Sequence, residues 1–309
     1  MGNTIFDFLV FPGFVFTAAV ACLVSWIDRK VTARVQWRTG PPLLQPVYDL
    51  VKLSGKENLV PRTGERVSFL ASPLVAVTAV TLASTQLWRV LIDADATFVG
   101  DLIVVVYLLV VPSIALIIAG ASSGNPFASL GASREMKLVL AYELPFILVV
   151  LVPVIKCDGA IRLGEIINWQ SANGMILGSV SGFIAFLVAI LCMQAKLALV
   201  PFDMAEAETE LIGGPLIEYS GIALAVHMLG RWMLLFVVPV FLVVIFMGGI
   251  DFESWHTLWG ILKYVLLLVI VVLLRNTNPR VRIDQAMRFF WGPVTILAVL
   301  SVILAFLNL

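Results

Sequence analysis

Charge is scarce in this sequence. Asp, Glu, Lys and Arg together make up 13% of the 309 residues, and histidine occurs twice, whereas soluble domains run to about 25% charged. Twenty bases balance twenty acids, so no net field of either sign exists to attract nucleic acid or an acidic partner. The three cysteines, Cys22, Cys157 and Cys192, stand far apart in or beside apolar runs, without disulfide-framework or metal-ligand spacing. Phosphate-binding glycine loops, dinucleotide fingerprints, His/Cys clusters and nucleophile motifs are also lacking. These absences exclude an ordinary cytosolic enzyme, a disordered chain and a nucleic-acid binder. No redox centre or cofactor is expected in the chain itself.

What is abundant is apolar surface: 61% of the residues are hydrophobic and the mean hydropathy is +1.03. A bilayer core of roughly 30 Å takes about 20 apolar residues per helix. Eight stretches qualify, at about 5–27, 68–91, 102–120, 138–156, 176–199, 222–247, 258–274 and 289–307. The expected fold is therefore all-α, a polytopic integral membrane protein forming one transmembrane domain over 1–309. No basic residue precedes Arg29 and no small-residue cleavage site follows the first run, which reads as a retained anchor rather than a signal peptide.

Basic residues set the expected orientation. Arg29, Lys30, Arg34, Arg38, Lys52, Lys56, Arg62 and Arg66 fall in 28–66, Arg134 and Lys137 in 121–137, and Arg275, Arg280, Arg282 and Arg288 in 275–288; these are fourteen of the twenty. The positive-inside rule places these segments and 200–221 in the cytoplasm, with both termini outside the cell membrane. Trp26, Trp88, Trp255, Trp259 and Trp291 fall at span ends, where interfacial anchors belong. The outer connections are short and carry Asp93, Asp95, Asp158, Asp251 and Glu253. The inner ones are longer and richer in Gly, Pro and charge, so function is expected on the cytoplasmic side and inside the bundle. No internal repeat of the kind that marks many secondary transporters is present.

Five features invite chemistry. In 34–52, the turn Gly40-Pro41-Pro42 leads into 43–53, which reads as a short amphipathic helix on the membrane surface. Topology alone explains its basic residues, whereas the turn and the buried-looking Gln45, Tyr48 and Asp49 suit docking of a cytoplasmic partner. The Gly/Ser/Pro-rich stretch 122–135 feeds the fourth span and needs to be no more than a connector. Glu143 lies about two turns into that span, where a carboxylate costs about 2.5–3.5 kcal/mol on insertion scales; it should face the interior and have a partner. A later-starting span would make it an interfacial acid instead.

The fourth feature is acidic: Asp203, Glu206, Glu208, Glu210 and Glu218 fall within sixteen residues, against the usual charge bias of an inner loop. Glu206 and Glu210 share a helical face, where like charges repel. A solvated loop explains the charge but not its place beside Phe202, Leu211 and Ile212. The fifth feature is basic. Lys196, late in span five, can snorkel to the surface, and His227 by itself reads as a satisfied interior histidine. Arg231 is too deep to snorkel and is expected to pair with a buried acid.

Several segments carry a resemblance: Ile27-Asp-Arg-Lys30; Arg38-Thr-Gly-Pro-Pro-Leu-Leu-Gln-Pro-Val-Tyr-Asp-Leu-Val-Lys-Leu53; Gly131-Ala-Ser-Arg-Glu135; Tyr142-Glu-Leu-Pro145; Pro201-Phe-Asp-Met-Ala-Glu-Ala-Glu-Thr-Glu-Leu211; and Glu218-Tyr-Ser-Gly221. Together and in this order, the chain resembles the subunit 1 family of respiratory complex I. It is more similar still to the membrane anchor of energy-converting nickel–iron hydrogenases and their sulfur-reducing relatives. The resemblance implies a non-catalytic coupling subunit of a ferredoxin-linked, hydrogenase-like complex. Its partners would be hydrogenase-like large and small subunits carrying the proximal iron–sulfur cluster and the nickel–iron or related site, antiporter-like membrane subunits, and the bilayer. It further implies that Glu143, Asp203, Glu206, Glu208, Glu210 and Glu218, with Lys196, Arg231 and His227, form the region coupling electron transfer to H⁺ or Na⁺ movement. Arg34, Arg38, Gln45, Tyr48, Asp49 and Arg134 would dock the redox arm.

Departures from the family pattern matter too. The first loop is compact after Gly40-Pro41, and Lys196-Leu-Ala-Leu-Val200 replaces the Glu-Thr-Asn-Arg run usual in quinone-reducing members. Lys196 and Arg231 stand where glutamates are common, which suggests bases holding Glu143 or the 206–210 acids ionised. The alternatives are the quinone-chamber subunit of an NADH:quinone oxidoreductase and, further off, a stand-alone secondary transporter.

Overall fold

Proline, glycine and a few capping side chains decide where the apolar runs of this chain start, break and stop. The computed structural model describes residues 4–252 and 256–309, without the side chains of Thr4, Glu208 and Thr209; Glu253 and Trp255 lie outside the described residues. The helices are α1 (Thr4–Leu9), α2 (Phe14–Val35), α3 (Gln45–Ser54), α4 (Arg66–Ile92), α5 (Asp101–Leu108), α6 (Val111–Ser122) and α7 (Pro126–Lys156). They continue as α8 (Leu163–Asn173), α9 (Val180–Lys196), α10 (Glu208–Leu211), α11 (Gly221–Met247), α12 (His256–Thr277), α13 (Ile283–Phe289) and α14 (Thr295–Phe306). No strand occurs among the described residues. The protein is an all-helical polytopic membrane protein.

Among the described residues, seven helical segments are long and apolar enough to cross a bilayer: Ile5–Val35, Arg66–Ile92, Asp101–Ser122, Pro126–Lys156, Gly221–Met247, His256–Thr277 and Ile283–Phe306. The expected fifth span, 176–199, is shorter than its apolar run. Ile176–Gly178 forms a 3₁₀ turn, and the Ser179 hydroxyl starts α9 by accepting from the Gly182 N–H. The helix ends at Lys196 after 17 residues, about 25 Å at 1.5 Å per residue. Three other runs are interrupted. Pro12 separates α1 from α2, and Pro112 withholds the N–H that would continue α5 into α6. Pro293 sits in a π turn, Phe290–Val294, that joins α13 to α14.

Helix also extends into segments expected to be loops. α2 carries Asp28, Arg29 and Lys30 before ending at Val35. α7 starts at Pro126, because the Asn125 side chain accepts from the Phe127 N–H and Pro126 suits the first turn. Arg134, Glu135 and Lys137 are therefore helical. Opposite the basic face, α8 packs under the bundle, held where Asp101 Oδ1 accepts the Leu163 N–H at 2.8 Å. Trp259 and Trp291 are exposed at helix ends, but Trp88 turns inward onto Phe16 and Phe236.

From Met233 to Met247 α11 is apolar on every side and buried throughout, as such a helix must be. α2, α4, α9 and α12 pack against α11. On the basic face, the segment after α9 folds down onto α7. A side chain at Gly131 would meet Pro215 Cδ at 2.6 Å and Ala205 O at 2.8 Å, so only glycine lets the acid-bearing loop approach this closely. On the other face, the buried Gln170 donates from Nε2 to Val244 O at 3.0 Å and Ile245 O at 3.4 Å, closing the end of α11. We expect Gln170→Ala to leave these carbonyls unpaired and to destabilise the fold by about 1–3 kcal/mol. A fall in the melting temperature of the detergent-solubilised protein checks this; an unchanged melt would show that the two carbonyls find other donors.

Candidate functional site

The irregular segment just after α9, from Leu197 to Glu206, with α2, α11, the end of α12 and Arg280 beyond it, lines a cavity of about 510 Å³. Its walls are charged, and the charges come in pairs. Arg231 of α11 meets Glu206 at 2.7 Å. Arg275, in the last turn of α12, meets Asp28 of α2 at 2.7 Å, and Arg280 meets Asp203 at 2.8 Å. Burial lifts the Asp203 carboxyl above the ordinary carboxylate range, with Arg280 opposing it.

Arg231, Leu197 and Ala198 also wall a second space of about 40 Å³, lined by Glu135, Ser113, Lys196 and His227. That volume admits a few waters at most. Glu135 is 1% exposed, and among the described residues its Oε2 has no hydrogen-bond partner, nor has His227 Nε2. His227 packs its edge on Tyr219 at 4.7 Å. Burial pushes the Tyr219 phenol up to about 12, so it remains a neutral hydroxyl, bonded to Ser72 and to Phe69 O. Beyond this space Lys196 Nζ donates to Glu143 at 3.1 Å. The Lys196 side chain has no exposure; its ammonium lies 5.2 Å from the Tyr142 ring centroid and 4.7 Å from that of Phe146. Lys196 therefore does not snorkel. It is enclosed by aromatic faces and one carboxylate, an arrangement that offsets part of the cost of burying the charge.

The acids expected in one loop are thus divided. Asp203 and Glu206 face the cavity. Glu210 pairs with Arg134 at 2.5 Å near the surface, and Glu218 accepts from Asn125 Nδ2 at 2.6 Å. The Glu208 side chain lies outside the described residues. Residues 34–54 form a separate surface. Arg34 and Arg38 are exposed, and Trp37 between them is 97% exposed. The Asp49 carboxylate accepts from Arg29 at 2.6 Å and from Gln45 at 2.9 Å. Tyr48, expected to be partly buried, is 56% exposed. Leu44, Val47, Tyr48 and Val51 all point outward, one apolar stripe at helical spacing, whereas Pro46 is buried and Asp49, Leu50 and Leu53 are half-buried against the bundle.

Five members of the charged cavity system escaped the sequence reading as site residues: Asp28, Arg29, Glu135, Arg275 and Arg280. The signal for Glu135 was present, since Asn125-Pro126 is a helix start that places it inside a helix. The other four acquire meaning only through partners distant in sequence.

Fold and cavity together define a polytopic membrane subunit with paired charges in its interior. The NADH dehydrogenase family model matches residues 8–306. A subunit of the NADH-quinone oxidoreductase from Thermomicrobium roseum is 34% identical over 308 residues, covering 90% of this chain and 88% of that one. Its counterpart from Geobacillus thermodenitrificans is 32% identical, over 96% and 90%, and subunit 8 of the Thermus thermophilus enzyme 31%, over 90% and 79%. Among solved structures, a chain of the membrane-bound sulfane sulfur reductase, an archaeal respiratory membrane complex, superposes with a TM-score of 0.84 at 30% identity, over 94% of this chain and 96% of that one. The chain belongs to the NADH dehydrogenase family, that of complex I subunit 1.

Two outcomes follow from the site. Glu143→Ala should cost about 3–5 kcal/mol by stranding the Lys196 charge, and the added Lys196→Met should recover much of it; thermal unfolding of the single and double variants measures the difference, and additive losses would contradict the pairing. The second concerns Asp49. Burial raises its carboxyl, but the hydrogen bonds from Arg29 and Gln45 and the nearby charges outweigh this and hold it below the ordinary range. Its stabilising contact is therefore complete above about pH 4 and is lost as pH falls through the depressed value. Cleavage of residues 36–65 by an acid protease should accelerate only in that acid range; a rate independent of pH would mean that packing alone holds α3.

Proposed function

We propose that this chain is the membrane anchor and coupling subunit of a ferredoxin-linked, hydrogenase-like or sulfur-reducing respiratory complex. The side bearing α3 and the 197–220 segment faces the cytoplasm, following the distribution of basic residues. There, Arg34, Arg38, Arg134 and the outward apolar stripe of α3 receive a redox arm carrying iron–sulfur clusters. Antiporter-like subunits lie alongside in the membrane. Electron transfer in the arm is linked to H⁺ or Na⁺ movement through Asp203, Glu206, Arg231, His227, Lys196 and Glu143.

The observation that carries this reading is the succession of paired charges from the large cavity to the buried pair. Arg231 walls both cavities, and Lys196 lies between the inner one and Glu143. Intramembrane charges of this kind mark ion pathways and relays. The compact first loop also supports it: Trp26 Nε1 donates to Pro41 O at 3.1 Å, and Gly40 sits against Lys30, so 36–44 closes directly onto α2.

A quinone-chamber role is the second reading, favoured by the names of the bacterial relatives. Against it stands the cavity wall, which carries Asp28, Asp203, Glu206, Arg231, Arg275 and Arg280, whereas sites for apolar ligands are lined mainly by hydrophobic groups. Assays of the intact complex with hydrogen, polysulfide and quinone separate the two, and turnover with quinone alone would overturn the proposal. In vesicles, Glu143→Gln, Lys196→Ala and Arg231→Ala should leave redox turnover while weakening the gradient formed per electron. Full gradients from all three well-assembled variants would remove the coupling role.

A further inference from the structure

The four arginines of the large cavity differ in one respect. Arg231, Arg275 and Arg280 each pair with a carboxylate of the same wall. Arg29 lines that cavity too, but its partner is Asp49 on α3. Its guanidinium carbon lies 5.3 Å from the centroid of the Trp232 ring, next in sequence to Arg231. Meanwhile two carboxylate oxygens buried at the cavity wall, Asp28 Oδ1 and Glu206 Oε1, accept no hydrogen bond among the described residues. The cavity thus holds unmet acceptors, and one of its cations is bound to a surface helix.

We propose that Arg29 is a partner-exchanging positioning residue that reports the position of α3 to the cavity. The inference rests on the coupling reading above and names the element that passes the signal. With α3 seated, Arg29 gives its hydrogen bond to Asp49, itself braced by Gln45, and not to an acid of the cavity wall. A partner bound to the outward stripe of α3 acts on the helix that carries Asp49, and an ion pair whose side chains are 31% and 26% exposed is open enough to solvent to exchange partners. Released, Arg29 turns to Asp28 and Glu206. At Glu206 it competes with Arg231, and a freed Arg231 borders the small cavity in which Glu135 Oε2 lacks a donor. A displacement at the surface is thereby converted into a rearrangement of charge in the interior. α2 carries Asp28 and Arg29 as neighbours, one bonded to α12 and the other to α3, so a shift of α3 also loads the helix that holds the cavity together.

The test uses the intact complex in sealed vesicles, with redox turnover and ion gradient measured together. Asp49→Asn should retain assembly and turnover while the gradient per electron changes several-fold; Asp49→Glu should restore the wild-type ratio. The swap Arg29→Asp with Asp49→Arg keeps an ion pair clamping α3 but places a carboxylate in the cavity, and its ratio should remain abnormal. A swap that restored normal coupling would reduce the pair to a mechanical clamp and overturn the proposal, as would a wild-type ratio in Asp49→Asn. Should Asp49→Asn fail to assemble, the swap decides. If Lys196→Ala and Arg231→Ala impair coupling while the Asp49 variants and the swap do not, only the role of Arg29 falls. If none has an effect, the coupling reading falls with it.

Discussion

The pair formed by Lys196 and Glu143 imposes its terms on the helices around it. A full charge inside a bundle is tolerable only beside an opposite charge, and removing either member leaves the other exposed to a medium that cannot solvate it. α7 and α9 must therefore be adjacent and in one register, and Tyr142 and Phe146 must turn their faces to the ammonium. The same rule repeats outward. Arg231 is answered by Glu206, Arg275 by Asp28, and Arg280 by Asp203. Bases stand at 196 and 231, where the family resemblance leads one to expect acids, and each has an acid within reach.

The basic face is knitted together by a few hydrogen bonds between distant segments. The Glu65 N–H donates to Ser122 O at 2.9 Å, the Leu59 N–H to Ser220 Oγ at 2.9 Å, and the Ser220 hydroxyl to Glu57 O at 3.2 Å. Asn125, which caps α7, also donates to Glu218. The first loop, the start of α7 and the acidic segment are consequently tied to one another on this face.

Much of this was legible in the residues. Apolar length located every membrane-crossing helix, since burying backbone in hydrocarbon demands helix and hydrocarbon thickness sets its extent. The depth of Arg231 foretold an acidic partner. Helix ends were less legible, because charges at a helix end look like loop charges until their partners are known. Asp28 illustrates the difficulty: its cation is 247 positions away, a separation that no local pattern records. Tyr48 illustrates the converse. It was grouped with Gln45 and Asp49 as buried-looking, yet its place in the helical repeat puts it on the outward stripe of the amphipathic α3 while Asp49 turns to Arg29. The capping signal at Asn125-Pro126 was readable and was outweighed by the Gly and Ser around it.

The brevity of α9 has an electrical consequence. A voltage across a membrane falls over the part that water does not reach, so the field is steepest where the insulating layer is thinnest. α9 ends at Lys196, and the residues just after it line the large cavity. The dielectric beneath that cavity is therefore shorter than along a full span of about 20 residues. A proton or cation moved through the region of Lys196 would cross a large share of the total potential in a short step. Since each charge crossing 100 mV exchanges about 2.3 kcal/mol with the membrane, the short helix concentrates electrical work at the place where the buried charges stand.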